Sequence, residues 1–402
     1  MPTPYVYTLN LSMPWMPSEN SLRSVGMLNC LMFNVCFRHQ LNLDSATHYI
    51  RIITITNVLE MIMKVALRTG SRTMGIGQLE IPTVPAGYIL VKVETVGICG
   101  SDLTGFKHYP ESSTPDGHEY AGEVVKVGDG VSRIKIGDRV TADVFLNAMC
   151  GECEFCRRGA PLHCTNRGQL TTGGFAEYVL VKEMASFVLP ESVDNTLGAL
   201  VEPLAVAVHA VRKMQISPGS TGVIIGGGAI GLCSLIAAID AGAEKVFVVA
   251  KHPTQINLAL ELGAADVLST DDNEAVEKLM QKTNLGVDFA IEAVGGKRPT
   301  MDTASKLVRT LGKIGVVGAF EPGYNGFELF NSLMKEHQIY FSNCYGYLDG
   351  KHDFEVAIDI LSRRGDSLRK IVTHVMSLDE IHEAFLVAED KSTGSVKVHL
   401  KP

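Results

Sequence analysis

The sequence lacks several features that mark other classes of protein. Lys and Arg number 36 against 44 Asp and Glu, a net charge of -8, so the basic excess expected of a protein that binds nucleic acid or an acidic membrane is missing. No apolar run approaches the roughly 18 residues of a membrane-spanning helix. Nine cysteines in 402 residues are too few for a disulfide scaffold. We therefore expect a cytoplasmic protein that binds neither nucleic acid nor membrane.

The first 62 residues show neither helical nor strand periodicity, and they lack the basic start and cleavage site of a secretory signal. A transit peptide would be richer in Arg and Ser. The pattern changes at Met63, where "MKVALRTG" predicts a first strand followed by a turn. We interpret residues 1–62 as a leader or extension outside the fold, without a catalytic role.

Two kinds of pattern follow. From Tyr88, short segments such as "YILVKVETVGIC" and "YAGEVVKVGDGV" alternate apolar and polar residues, which predicts a small, barrel-like β unit. After Pro218 the segments "TGVIIG", "KVFVVA", "DFAIEAVG" and "KIGVVGAF" read as apolar strands, separated by helical stretches such as "EAVEKLMQKT" and "TMDTASKLVRTL". This alternation predicts an α/β fold with a doubly wound parallel sheet.

The tail from about Gly346 alternates helix and strand and ends in "SVKVHL", a strand that we expect to return to the β-rich part. The sequence therefore predicts two domains, as its length also suggests. One is a β-rich domain over 63–213, completed by 346–402, and the other is a dinucleotide-binding domain over 214–345.

The segment "GGGAIG" matches a phosphate-binding turn. Gly226, Gly228 and Gly231 form G-x-G-x-x-G between a predicted strand and a predicted helix, with Ala229 and Ile230 inside the turn. The first glycine permits a tight turn, the second lets the backbone approach a pyrophosphate, and the third allows close packing of helix on strand. The alternative is a tight turn without a ligand.

The end of the second strand of such a sheet usually decides which dinucleotide is bound. NAD sites carry an acidic residue there. Here the strand ends in "VVAKH", so that Ala250 takes the acidic position and Lys251 and His252 follow. The missing carboxylate and the two potential cations favour NADP over NAD, the alternative being that Lys251 is a solvated loop charge.

The stretch "CGECEFCRRGAPLHC" places four cysteines in metal-binding spacing, C-x2-C-x2-C-x7-C. They are Cys150, Cys153, Cys156 and Cys164. Four thiolates can close a tetrahedral shell around a structural zinc ion. An iron–sulfur site is the main alternative, but the last gap differs from the ferredoxin spacing and no proline follows Cys164. We expect His163 to be a surface residue.

A second set of potential ligands is dispersed. Cys99 lies in "GICGSD", His118 and Glu119 in "GHEYAGEV", and Glu202 in "LVEPLAVAVHAV". Each has a plain alternative: a buried thiol, a turn histidine, a helix N-terminal acid. Together they can make an open catalytic zinc site, which leaves room for water or substrate.

These motifs, in this order over residues 63–402, resemble the zinc-containing medium-chain alcohol dehydrogenases, nearest to the branch of sorbitol and other polyol dehydrogenases. The resemblance implies a GroES-like catalytic domain joined to a Rossmann domain, two zinc ions per chain and a homo-oligomer. It also implies hydride transfer between a secondary alcohol or polyol and NAD(P). A threonine dehydrogenase-like enzyme and a non-catalytic relic of the fold are the alternatives.

The resemblance also assigns roles. Cys99, His118 and Glu119 match catalytic zinc ligands, and Glu202 matches the residue that holds or replaces the zinc-bound water. The four-cysteine set matches the structural zinc lobe. Ser101 matches the hydroxyl that hydrogen-bonds the reacting oxygen.

The family's relay histidine is replaced by Thr104, and His108 could stand in for it. Weaker candidates remain. Phe106 and Tyr345 could line the pocket or be core aromatics. Glu292 ends a strand near the expected cofactor, and His209 is expected to be packed.

Overall fold

A computed structural model describes residues 61–168, 173–269, 274–284 and 286–402. The predicted leader falls almost wholly outside these residues, so its independence of the fold stays a prediction. The first described strand is Ile62–Gly70, and a turn at Ser71 and Arg72 follows it, which confirms the strand predicted from Met63. Within the described part of the chain, no helix is long and apolar enough to cross a membrane.

A seven-stranded sheet forms the β-rich part. Its strands are Tyr88–Gly97 (β3), Glu119–Val127 (β4), Arg139–Ala142 (β5), Tyr178–Lys182 (β6), Ser186–Val188 (β7), Val372–Ser377 (β16) and Lys397–Lys401 (β17). The order is β16-β17-β3-β4-β5-β7, with β6 also paired to β3. Strand β17 pairs antiparallel with β3, with His399 opposite Gly97, which confirms the predicted return of the last strand.

Two short hairpins accompany this sheet. Strand β1 (Ile62–Gly70) pairs antiparallel with β2 (Thr73–Glu80). Strand β14 (Tyr347–Leu348) pairs antiparallel with β15 (Lys351–His352).

The second large sheet is parallel throughout. Its strands are Thr221–Ile225 (β8), Lys245–Ala250 (β9), Asp266–Ser269 (β10), Val287–Glu292 (β11), Val308–Val316 (β12) and Gln338–Phe341 (β13). Their order is β10-β9-β8-β11-β12-β13, and every pairing is parallel. The sheet extends from β8 through β9 and β10 on one side and through β11, β12 and β13 on the other. This arrangement confirms the predicted doubly wound sheet.

Twelve α-helices of the described residues connect and cover the sheets. They are Gly100–His108 (α1), Val144–Ala148 (α2), Glu154–Arg157 (α3), Asn195–Gly198 (α4), Val201–Met214 (α5), Ala229–Asp240 (α6), Pro253–Glu261 (α7), Ala275–Thr283 (α8), Thr300–Leu307 (α9), Leu329–Met334 (α10), Asp353–Leu368 (α11) and Ile381–Glu389 (α12).

One predicted helix is too long. The sequence predicts a helix over residues 300–311, but α9 ends at Leu307 and β12 begins at Val308. Val308 already pairs with Val287 on β11, and the register then shifts before Phe289 pairs with Lys313. Leu311 takes a positive φ of 63° in this irregular stretch. Strand pairing therefore overrides the helical pattern of "LVRTL".

Apolar packing joins the two sheets. Strand β8 is buried on both faces, since Ile224 packs with one cluster and Val223 and Ile225 pack with another. The first cluster also takes in Ala121 of β4 and Leu197 of α4. Residues 61–402 form one compact unit, so the domain boundaries at 214 and 345 stay a prediction.

Candidate active site and cofactor site

Cys99 lies where β3 passes into α1. It is the N-cap residue of α1, and its backbone N–H donates to Oδ2 of Asp102 at 2.8 Å. Asp102 is buried, and burial raises the pKa of its carboxyl to about 6. Its other oxygen faces Nδ1 of His118 at 3.7 Å. Asp102 therefore helps to orient Cys99 and His118. Its position three residues after the N-cap residue Cys99 is that of a capping box, and this spacing could have indicated the role.

Glu119 starts β4, and His118 directly precedes it. Ligand atoms of Cys99, His118 and Glu119 all lie within 4.8 Å of one another. Burial lowers the pKa of His118, but the negative charges of Asp102 and Cys99 outweigh it and raise this pKa well above its usual value. The structure thus brings together one thiol, one imidazole and one carboxyl, a donor set that fits zinc with an open position.

Lys397 of β17 is a member of the site that the sequence analysis missed. Its Nζ lies 2.7 and 2.6 Å from the two oxygens of Glu119 and donates to the carbonyl oxygen of Ile98 at 3.0 Å. Both side chains are buried. Gly97 leaves the space for this pair, since a Cβ there would lie 2.3 Å from Glu119 Oε2. A lysine in the apolar strand "SVKVHL" was the signal that could have been used.

Glu202 lies in the first turn of α5 and is buried. Burial raises the pKa of its carboxyl to about 7, and the charge of His118 partly opposes the rise. The charges of Glu119, Lys397 and Asp102 also act on it, so Glu202 faces the same cluster. It is not among the three residues whose ligand atoms lie within 4.8 Å, which places it outside the innermost set.

The residues expected to move a proton lie on α1. Ser101 is exposed in its first turn, and His108 is exposed at its last residue. The hydroxyl of Thr104 donates to the carbonyl oxygen of Gly100 at 3.1 Å. The Thr104 hydroxyl is therefore bonded within its own helix. It does not form a hydrogen-bonded path from Ser101 to His108.

The four cysteines of the lobe converge. Their Sγ atoms lie within 4.8 Å of one another, with Cys150–Cys164 at 3.5 Å and Cys153–Cys156 at 3.4 Å. Zn–S bonds of about 2.3 Å in a tetrahedron put sulfur atoms about 3.8 Å apart. All four are free thiols, so the lobe fits a zinc ion. His163 is exposed, as expected.

The glycine turn has the shape that a pyrophosphate needs. Gly226 has φ of 115°, and a Cβ on Gly231 would lie 1.8 Å from the carbonyl oxygen of Gly226. Gly228 is the N-cap of α6, and a Cβ there would meet open space. The N–H groups of Ala229 and Ile230 open this helix, which is the arrangement that binds phosphate.

The predicted specificity position ends β9. Ala250 is buried, and its Cβ would lie 2.8 Å from a Cβ on Gly227. Lys251 is exposed, and His252 is the N-cap of α7. The structure therefore brings Ala250 beside the glycine turn, and Lys251 and His252 follow it in the chain.

The weaker candidates from the sequence lie in different surroundings. Phe106 is a core aromatic, packed against Phe385 at 5.2 Å. His209 is packed, with Nδ1 at 2.6 Å from Asp353 Oδ2. Glu292 is buried at the end of β11, where its Oε1 accepts from the N–H groups of Val294 and Gly295.

Tyr345 is buried beside Phe354, and its hydroxyl has no hydrogen-bond partner within the described residues. The negative charges of Glu202 and Asp143 add to burial in raising the pKa of this phenol. Tyr345 is therefore within reach of the charge of Glu202.

Comparison with known proteins agrees with this geometry. Residues 85–191 match the alcohol dehydrogenase GroES-like domain, and residues 229–363 match the zinc-binding dehydrogenase family. The sorbitol dehydrogenase of Bacillus subtilis is 30% identical over 359 residues, which are 87% of this chain and 99% of that protein. The D-arabitol-phosphate dehydrogenase of Enterococcus avium is 31% identical over 325 residues, which are 79% of this chain and 91% of that protein.

A solved structure shows the same fold. A Sinorhizobium meliloti protein classed as a zinc-binding dehydrogenase, solved with bound NADP, is 30% identical, with a TM-score of 0.75 over 85% of this chain and 99% of that one. The chain therefore belongs to the zinc-type medium-chain alcohol dehydrogenases, in the branch of sorbitol and related polyol dehydrogenases, and is an NAD(P)-dependent oxidoreductase of alcohols.

Proposed function

We propose that this dehydrogenase oxidises a polyol at a catalytic zinc ion held by Cys99, His118 and Glu119. The observation that carries the proposal is the convergence of these three ligand atoms within 4.8 Å. Bound zinc would supply a Lewis acid that lowers the pKa of an alcohol, and the nicotinamide accepts the hydride. The named relatives act on sorbitol and on arabitol phosphate, which supports a polyol as the substrate class.

The protein's own residues would bind the substrate and move its proton. Ser101, exposed at the start of α1, would accept a hydrogen bond from the reacting hydroxyl. Glu202 adds a buried carboxyl to the same cluster. It would accept a proton, or a hydrogen bond from a water molecule. Thr104 does not extend this path, because its hydroxyl is bonded to Gly100.

We further propose a second, structural zinc ion at Cys150, Cys153, Cys156 and Cys164. Four thiolates leave no open position, so this ion would stabilise the lobe and take no part in the reaction. Two zinc ions per chain are the expected content.

Substitution of Cys99 by alanine tests both assignments. We expect Cys99→Ala to lose polyol oxidation and about one zinc per chain, with an unchanged circular dichroism spectrum, because the lobe keeps its own ion. Cys233→Ala, which removes a buried thiol of α6, is the control and should keep both zinc ions. Turnover of polyols by Cys99→Ala at the parent rate would contradict the catalytic assignment.

We propose NADP as the preferred cofactor. The position that carries an acid in NAD sites is Ala250, and exposed Lys251 lies next to it. A charge-assisted hydrogen bond to a 2′-phosphate is worth about 1.5–3 kcal/mol, less at an exposed rim. A preference of roughly ten- to a hundredfold follows, because 1.4 kcal/mol is about tenfold.

The test of this preference is kcat/KM with both cofactors. Ala250→Asp should reverse the preference, because the new carboxylate accepts from the ribose hydroxyls and repels the phosphate. Ala250→Asn is the matched control, with the same shape and no charge. A parent enzyme that prefers NAD would overturn the cofactor proposal and leave the dehydrogenase assignment intact.

We also propose that two copies of the chain associate through β13 and α10. Strand β13 is the end of the parallel sheet, with β12 as its one neighbour among the described strands. Phe341 of β13 is exposed, and so are four apolar side chains of α10, the helix that precedes β13 in the chain. They are Leu329, Phe330, Leu333 and Met334. An edge strand can pair with its own copy by two-fold symmetry, and such a contact would bury the apolar face.

A further inference from the structure

Arg167 is an arginine without an acidic partner near the candidate active site. Its Nη2 donates to the carbonyl oxygen of Leu162, and no ion pair joins it to a carboxylate in the described part of the chain. Its guanidinium carbon lies 5.2 Å from the centroid of the Phe145 ring. An arginine carries five N–H donors, so most of them are left for another acceptor.

The aromatic stack under Arg167 leads into the active-site region. The ring of Phe145 lies 5.4 Å from that of Tyr345. Tyr345 is buried, and its hydroxyl has no partner among the described residues. Arg167 is exposed, Phe145 is partly buried and Tyr345 is buried, so the three side chains lead from the surface inward to a phenolic hydroxyl without a partner.

Cys344, the residue before Tyr345, is within reach of the charges of both Arg167 and the candidate metal ligands. Burial raises the pKa of the Cys344 thiol to about 12, and the negative charges of Glu202 and Cys99 add to the rise. The positive charge of Arg167 acts on the same thiol in the opposite direction. Charges of opposite sign, from Arg167 and from the candidate metal site, therefore both reach Cys344.

The loop that carries Arg167 is held at both ends. The N–H of Gly168 donates to the carbonyl oxygen of Ala148 at 2.8 Å, at the end of α2. On the other side the chain enters the four-cysteine lobe at Cys164, whose Sγ accepts from the N–H of Cys150. The lobe and α2 together anchor the backbone that carries Arg167.

We propose that Arg167 binds an anionic group of the substrate, a phosphate monoester or a carboxylate, at the end away from the reacting hydroxyl. The substrate is then an acidic derivative of a polyol rather than a neutral polyol. This inference rests on the dehydrogenase function proposed above. A planar guanidinium binds both oxyanions through paired hydrogen bonds, so the two sources share one chemistry.

The experiment compares three substrates that share a six-carbon skeleton. Sorbitol is neutral, its terminal phosphate ester carries a phosphate, and gluconate carries a carboxylate. We expect the parent enzyme to have a kcat/KM for one of the two anions at least roughly tenfold above that for sorbitol. The size is that of one charge-assisted interaction. The anion with the higher kcat/KM shows whether Arg167 binds a phosphate or a carboxylate.

Variants of Arg167 then assign the gain. Arg167→Gln should lower the ratio of kcat/KM for the anion to that for sorbitol by roughly 10- to 100-fold, mainly through KM. Arg167→Lys should lower it less, because it keeps the charge and loses the paired donors. Arg158→Gln is the matched control: it removes an exposed arginine of the same lobe, paired with Glu154, and should leave the ratio unchanged. Zinc content should be equal in all three variants.

Two results would overturn the inference alone. One is a parent enzyme that oxidises sorbitol at least as well as both anions. The other is Arg167→Gln lowering kcat/KM for the anion and for sorbitol by the same factor, which would make Arg167 a support for Phe145. Failure of all three substrates, and of other polyols, to reduce either cofactor would instead overturn the proposed function.

Discussion

Lys397 and Glu119 form a buried ion pair beside the candidate metal ligands. Nζ contacts both carboxylate oxygens, and both side chains are at most 4% exposed. Removing one partner of a buried pair leaves the other charge without compensation, which costs about 3–5 kcal/mol. We expect Lys397→Met to lose this much free energy of unfolding, measured by urea denaturation, and Lys397→Met with Glu119→Gln to recover part of it.

The matched control is another lysine ion pair at the surface. Lys64 pairs with Asp379, with side chains 35% and 59% exposed. Lys64→Met should cost less than about 1 kcal/mol, as exposed pairs do. Equal losses from the two lysine variants would mean that Lys397 contributes only as a surface charge does.

His399 is a buried histidine with no hydrogen-bond partner for either ring nitrogen within the described residues. Burial, aided by the charge of Lys397, lowers its pKa to about 3. The unfolded chain takes up this proton near pH 6.5. Between about pH 6.5 and pH 3 the unfolded state therefore binds more protons, and stability falls as the pH falls.

The expected size is about 2 kcal/mol at pH 5, since 1.5 pH units separate this pH from the unfolded value. His399→Met should therefore lose about 2 kcal/mol less than the parent between pH 8 and pH 5, measured as urea-unfolding free energies. His108→Met, at an exposed site, is the control and should follow the parent. A parallel decline of His399→Met and the parent would show that His399 is not the group that titrates.

The strand–turn–helix element from β8 to α6 offers a matched pair of glycines. A Cβ at Gly231 would lie 1.8 Å from the carbonyl oxygen of Gly226, whereas a Cβ at Gly228 meets open space. Gly231→Ala must move the helix off the strand, so we expect a lower Tm and lost cofactor binding. Gly228→Ala should keep the parent Tm and lose cofactor affinity, because its methyl group occupies the approach of the pyrophosphate.

Cofactor affinity for this pair is measured by isothermal titration calorimetry with NADP, and Tm by differential scanning calorimetry. The two variants separate a turn that binds a nucleotide from one that only closes a loop. If Gly228→Ala bound NADP as tightly as the parent, the turn would have no close contact with the pyrophosphate.

Elements with strong local patterns were predictable, and those set by distant pairing were not. The apolar runs of β8, β9 and β11 and the glycine turn follow from residues near in sequence. The end of α9 does not, because Val308 is drawn into β12 by its partner Val287 on another strand. Lys397 was missed for the same reason: its partner Glu119 is 278 residues away, and no local pattern joins them.

At the scale of the whole molecule, the order of the motifs predicted the family and the parallel sheet, which are confirmed. It could not predict what the site recognises. Arg167, Phe145 and Tyr345 come from three separate segments, and their proximity depends on the packing of the cysteine lobe against α2. Substrate specificity in this fold therefore depends on tertiary contacts between loops more than on motifs.

The proposed association of two copies makes the last prediction. Phe341 ends the open strand β13 and is 72% exposed, and Leu333 of α10 is 71% exposed. Large apolar side chains that are exposed on an edge strand and on the helix before it are costly to leave in water. We expect sedimentation velocity to give twice the mass of the chain, and Phe341→Lys to give the single mass, because a charge at the edge opposes pairing. Ile136→Lys, at an isolated exposed apolar residue, is the control and should sediment as the parent does. A parent that sediments as a single chain at micromolar concentration would refute the association, and a Phe341→Lys variant of unchanged mass would place the contact elsewhere.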